Sequence, residues 1–226
     1  KDILTIPPKG CIHIHYGDLP KYAGGAPILH AIFAGEKYIY PTMQYMAAKV
    51  DSGDIISKIR VDISEGVRLV ELLGGKVVNI RGLTSYEAYN KCNIMALKLF
   101  KSNYKKLKTG DLKTIKQNFD EIEYKYLNEI DYGYDRYISL NESEKIIETK
   151  IKAFTFPPMQ LPIIKSKSRY IKINLLPSLD TMAIEIADYY NKPSSHIIKI
   201  FESVNSMYPG YVKWTNITEN EWKTKN

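Results

Sequence analysis

Apolar and polar residues alternate in "CIHIH" (residues 11–15), directly after the turn-forming "PPKG", and this pattern predicts a short strand that is otherwise buried. Its period of two puts His13 and His15 on the same face. The Asp18-Leu19-Pro20 turn and the Gly24-Gly25 pair then interrupt regular structure, and Pro27 opens a short helix, "PILHAIFAG", closed by Gly35. A second strand is expected over residues 38–46 ("YIYPTMQYM"). The polar turn "DSGD" (residues 51–54) separates it from a third, "IISKIRVDI" (residues 55–63). Strands and short helices interleave here, which is the grammar of an α/β layer.

Farther along, Thr84 and Glu87 have the spacing of a capping box for a long amphipathic helix, "SYEAYNKCNIMALKLFKSNYKKL", that stops near Gly110. Asn141 and Glu144 repeat that spacing ahead of "SEKIIETKIKAF" (residues 143–154). The segment "FPPMQLP" (residues 156–162) cannot continue a helix, and "SRYIKINLL" (residues 168–176) reads as a strand. This change of pattern places a module boundary near residue 155, giving modules at 1–155 and 156–226. The second carries two helical patterns, at residues 179–190 and 195–207. No internal repeat is evident.

A chain of 226 residues, 44% hydrophobic and 25% charged, has the composition of a globular protein. No apolar run approaches the roughly 20 residues that span a bilayer, so no membrane partner is expected. Cys11 and Cys92 are far apart and have no metal-type spacing, which fits a reducing cytoplasm and gives no disulfide framework or zinc knuckle. The formal net charge of +7 raises a nucleic-acid reading. Its lysines, however, are interleaved with acids, as in "DEIEYKYLNEIDYGYDRY" (residues 120–137), so the expectation is a solvated face and no nucleic acid. The positive charge serves a small anionic substrate equally well.

A histidine at a strand end beside a Pro-terminated turn, with a carboxylate on a later loop, has the makings of a proton-transfer site. His15 and Asp51 stand in that relation. On the residues alone, His15 also reads as a structural histidine and Asp51 as a turn residue of "DSGD". An His-x-His pair can ligate a metal, but no third ligand lies near in sequence, so no metal is expected.

Three stretches in the same order and separation, "HIHYGDLPKYAGGAPILHAIFAGE", "YPTMQYM" and "VDSGDII", resemble the folate-dependent formyltransferase family. The family pattern is Asn-x-His-x-Ser-Leu-Leu-Pro, a Gly-rich turn with Ala-Pro, a Gly-Val-Thr strand and an Asp-Thr-Gly turn ahead of two apolar residues. The resemblance extends through "DRYISL" and "KIKAFTFPPM", to about residue 175. The "FPP" junction and the acidic, tyrosine-rich segment before it look most like the sugar-nucleotide branch. The tail is too short, and too helical in pattern, for the barrel that follows in the tRNA branch. The resemblance starts partway through the family's doubly wound domain. The fold it implies is therefore an α/β, Rossmann-like doubly wound sheet lacking its N-terminal part, with a small C-terminal α+β extension.

What the resemblance implies about chemistry is transfer of a formyl group from N10-formyltetrahydrofolate, as co-substrate, to the amine of a nucleotide-linked amino sugar for glycan biosynthesis. The family's catalytic histidine falls on His15, its aspartate on Asp51 and its asparagine on His13. Asparagine is a neutral donor toward the tetrahedral oxyanion of the transfer. A histidine donates from one ring nitrogen, is bulkier and titrates near neutral pH. In the implied division of labour, His15 stabilises the oxyanion or shuttles a proton while Asp51 favours its charged form. The pterin would lie against the loop of Met46, Ala47 and Val50. Ala23 stands where the family often has an arginine, and His30 reads as a surface histidine. Members of the sugar branch are often homodimers, which sets the same expectation here. The competing readings are a catalytically silent binding relative and a formyltetrahydrofolate hydrolase.

Overall fold

The computed structural model describes residues 2–72, 75–131, 135–156, 160–166, 169–172 and 216–217. Strand β1 (Ile12–His15) forms over the alternating segment. It is followed by β2 (Ala23–Gly24), α1 (Pro27–Phe33), β3 (Tyr38–Ile39), β4 (Thr42–Tyr45), β5 (Ile55–Lys58) and β6 (Val61–Asp62). After these come β7 (Val67–Glu71), β8 (Val77–Arg81), α2 (Ser85–Thr109), β9 (Tyr124–Lys125), β10 (Tyr137–Ile138), α3 (Glu144–Phe154), β11 (Ile163–Ser166), β12 (Arg169–Lys172) and β13 (Asn216–Ile217). The class is mixed α/β.

The chain divides into two compact units, residues 1–68 with 81–131 and residues 69–80 with 132–226; residue 155, the expected boundary, falls inside the second. In the first unit, β1, β4 and β5 form a three-stranded antiparallel sheet, with His13 opposite Gln44 and His15 opposite Thr42. The strand expected over 38–46 is two strands. Pro41 has no N–H to donate, so the chain changes partner there: β3 pairs with β6, and β4 joins the three-stranded sheet. The strand expected over 55–63 breaks at residues 59–60 for the matching reason, since β5 follows β4 and β6 follows β3.

Leu19, Ala23 and Ile55 form a small core under partly buried Ile122 and Tyr124. Leu19 and Met43 are fully buried, and each such side chain contributes roughly 1.5–3 kcal/mol relative to exposure. Helix α1 buries Ile28, Leu29, Ala31 and Ile32. Helix α2 begins as expected: the Thr84 side chain accepts from Glu87 N–H while the Glu87 carboxylate accepts from Thr84 N–H. It buries Ala88, Cys92, Ala96 and Leu99, a stripe at helical spacing, and packs against α1, β4 and β6.

In the second unit Val70, Leu72, Val78, Ile80, Ile138, Ile147, Ile151 and Ile164 make one apolar cluster. Strands β10 to β13 form a sheet in that order, with β10 and β11 parallel and the remaining pairs antiparallel. The cap of α3 is Ser143, whose hydroxyl accepts from Ile146 N–H, rather than Asn141. Both residues have the right chemistry, and the helix starts at the one adjacent to its first turn. Of the strand expected over 168–176, the described residues 169–172 form β12. The helical patterns at 179–190 and 195–207 lie outside the described residues. No helix among the described residues is long and apolar enough to cross a membrane.

Candidate active site

The register of β1 against β4 puts His13, His15 and Gln44 on one face of the sheet, and the loop after β4 brings Asp51 onto that face. His13 Nδ1 lies 3.6 Å from Asp51 Oδ1, and His15 Nδ1 lies 3.5 Å from Asp51 Oδ2. The two rings have centroids 6.2 Å apart. Their exposure differs sharply: the His13 side chain is 48% exposed, whereas His15 is 6% and Asp51 4% exposed. The first half of β1 is thus not the buried strand its pattern predicts, for Ile12 and His13, on opposite faces, are both exposed.

Two short bonds fix the carboxylate. Gly24 N–H donates to Asp51 Oδ2 at 2.9 Å, and Gln44 Nε2 donates to Asp51 Oδ1 at 2.8 Å. Asp51 has φ 51, in the left-handed region that aspartate tolerates better than most side chains. Around it, Ser52 Oγ donates to Lys49 O, and Gly53 passes so close to β4 that a Cβ would stand 1.7 Å from Tyr45 O. His15 is held from the opposite end, its Nε2 donating to Tyr22 O at 2.6 Å. Gly17 permits that approach: a Cβ there would lie 2.5 Å from Tyr22 O and 2.6 Å from His15 Nε2.

Burial pushes the His15 imidazole below its ordinary range, against the opposing pull of the Asp51 carboxylate and the Tyr22 carbonyl. Asp51 thus acts on the ring in the expected direction, toward its charged form, while burial is the larger effect. The Nε2 proton is given to Tyr22 O, and Nδ1 faces Asp51. Burial pushes the Asp51 carboxyl upward, but the His13 ring, the His15 ring and the Gly24 N–H together hold it below the usual carboxylate range. The carboxylate is ionised at neutral pH.

Met46, Ala47 and Val50 are exposed on the loop between β4 and Asp51. Met46 N–H is tied to Cys11 O at 2.8 Å, and Val50 O accepts from the Tyr124 hydroxyl at 2.8 Å. Ala23 is buried in β2, and His30 is half-buried on α1, its ring pushed down by burial. Neither Cys11 nor Cys92 forms a disulfide. Among the described residues no cluster of three His, Cys, Asp or Glu side chains is arranged to hold a metal ion. The residues given no role from sequence are Gly24, Gln44 and Gln117, each in hydrogen-bond contact with Asp51; the first two lie within the quoted motif stretches and Gln117 lies outside them.

The site thus consists of two histidines on one carboxylate at a sheet face of a mixed α/β fold. Residues 1–74 match the model of the formyl transferase family. The methionyl-tRNA formyltransferase of Bacillus velezensis is 34% identical over 124 residues, covering 55% of this chain and 34% of that protein. Among solved structures, WlaRD, a sugar 3N-formyltransferase crystallised with dTDP and 5-N-formyl-THF, superposes with TM-score 0.54 at 19% identity, over 73% of this chain and 61% of that one. The methionyl-tRNA formyltransferase from Clostridium thermocellum superposes with the same TM-score, 0.54, identity of 19% and coverages of 73% and 61%. Residues 1–74 are thus similar to the formyl transferase family, and the longer alignments and superpositions are to formyltransferases as well. The matches span about a fifth to a third of the length of the curated relatives.

Proposed function

We propose that this chain is an N-formyltransferase that moves a formyl group from N10-formyltetrahydrofolate to the amine of a nucleotide-linked amino sugar. The observation that carries the reading is the Asp51 carboxylate, ionised and shared by His13 and His15 at 3.6 and 3.5 Å. In the transfer, a bond forms between the sugar nitrogen and the formyl carbon, the bond from that carbon to N10 breaks, and the proton lost by the amine ends on N10. Asp51 and the basic Nδ1 of His15 hold that proton in passage, and the imidazolium formed on His15 is stabilised by the adjacent carboxylate. His13, the exposed ring, supplies the donor toward the oxyanion that asparagine supplies in the family pattern. Met46, Ala47 and Val50 are the surface for the pterin.

The sugar acceptor rests on the sequence features of the "FPP" junction and on a solved relative crystallised with dTDP. A second reading, the amine of an aminoacyl-tRNA, is favoured by a methionyl-tRNA formyltransferase that aligns with this chain over 124 residues at 34% identity. A transfer assay with formyltetrahydrofolate separates them, offering dTDP-, UDP- and GDP-amino sugars in one series and methionyl-tRNA in another. Turnover with one sugar nucleotide is the expected result; turnover with the tRNA alone selects the second reading. Formate release without any acceptor identifies a hydrolase, and binding without turnover a silent relative. In the active series Asp51→Asn and His15→Ala lower kcat by about 10²–10⁴.

A further inference from the structure

The segment after α2 returns to the site and grips the loop that carries Asp51. Ile115 and Ile55 exchange both backbone hydrogen bonds at 2.8 Å. Gln117 Nε2 then donates to Asp51 O at 2.9 Å and to Gly53 O at 2.7 Å, and stands 3.4 Å from Gln44 Oε1. The Tyr124 hydroxyl donates to Val50 O, with Lys49 Nζ 4.6 Å from the Tyr124 ring centroid. Strand β9, which contains Tyr124, runs parallel to β2, whose Gly24 N–H holds Asp51 Oδ2. Every backbone carbonyl from Val50 to Gly53 named here is thus met by a donor from residues 117–124.

We infer that Gln117 is a positioning residue for the transfer reaction: its amide pins the left-handed Asp51 backbone and, with Gln44, sets the direction in which the carboxylate meets the two histidines. The reason is geometric. A residue at φ 51 has no helix or strand ladder to hold its carbonyl, so its orientation depends on whatever donor reaches it. The Gln117 amide spans both flanking carbonyls with one NH2 group, and Gln44 is held next to it by the β1–β4 register. Moving a reacting group by an ångström costs about 10²-fold in rate. The partners of the Gln117 amide are Gln44, Asp51 and Gly53, so it acts on the histidines through Asp51.

This inference rests on the reading of Asp51 and the histidines as the reactive groups, and its test carries one readout of turnover and one independent of turnover. In the 226-residue chain Gln117 is replaced by Met, which keeps its bulk without the donor, and by Glu, which keeps its shape but sets a carboxylate against two carbonyls. The expected result in both is a kcat lower by about 10²-fold, with KM for formyltetrahydrofolate changed by less than about twofold. The ring NMR signals of His13 and His15 at fixed pH shift in the variants. Unchanged kcat and unchanged ring signals overturn the inference, as does loss of folding in both variants, which would make Gln117 structural only. If the parent chain shows no transfer while the ring signals still move, the proposed function fails and the positioning role stands.

Discussion

At His15 and Asp51 burial and charge act on protonation with a common outcome, since both groups are held below their ordinary ranges. The unfolded chain therefore binds more protons than the folded one over the acid range, and stability rises with pH. For His15 the contribution is complete above its ordinary value of 6.5 and is lost as pH falls through its lower folded value. For Asp51 the same occurs from 3.8 downward. His30, also pushed down by burial, acts with the same sign as His15. Urea melts at pH 7 and pH 5 are expected to give a lower midpoint at pH 5. His15→Gln should flatten that difference in part, the remainder being carried by His30. A midpoint that rises toward pH 5 would mean that Asp51 wins over burial at the His15 ring. Residue chemistry was legible in the sequence here, because His13, His15 and Asp51 come from short local motifs. The sign of the His15 shift was not, because it depends on how completely Gly17 and Tyr22 close over the ring.

Among the elements, the loop joining β4 to β5 has the least room. Gly53→Ala would drive a methyl into Tyr45 O, so the loop must move, at a cost of about 1–3 kcal/mol and with Asp51 displaced. Thermal melts together with the transfer assay check this: a variant as stable and as active as the parent chain would show that the loop relaxes freely. Local signals fared well where one residue type decides the outcome. The Thr84–Glu87 box marked the start of α2, and the alternation of residues 11–15 marked β1. They failed where tertiary partners decide. Strands 38–46 and 55–63 each split because Pro41 sends the chain to another partner. The β7–β8 pair escaped detection because Val67, Leu69 and Val77 are exposed, so the outer face lacks the polar residues that alternation requires. Gln44 and Gln117 lie 73 residues apart, and no spacing rule joins them.

For the whole molecule, the net charge of +7 bears on which acceptor is used. A polynucleotide acceptor would engage several phosphates, and its binding would fall by roughly 10³–10⁵ between 50 and 200 mM salt if six to ten were neutralised. A sugar nucleotide carries only two phosphates, so its KM should change far less over that range. Measuring KM for the acceptor at both salt concentrations distinguishes the two, and a steep loss would favour the tRNA amine over the sugar.

The match to the formyl transferase family ends at residue 74, whereas the compact unit that contains the site runs on through residue 131. Residues 117 and 124, which hold the Asp51 loop, fall in the difference. A fragment cut at the sequence match would keep both histidines and the carboxylate yet lose the donors to Val50, Asp51 and Gly53. The smallest autonomous version of this site is therefore set by that returning segment and not by the extent of the recognisable motif, and any minimised or grafted form must carry the chain at least to Lys125.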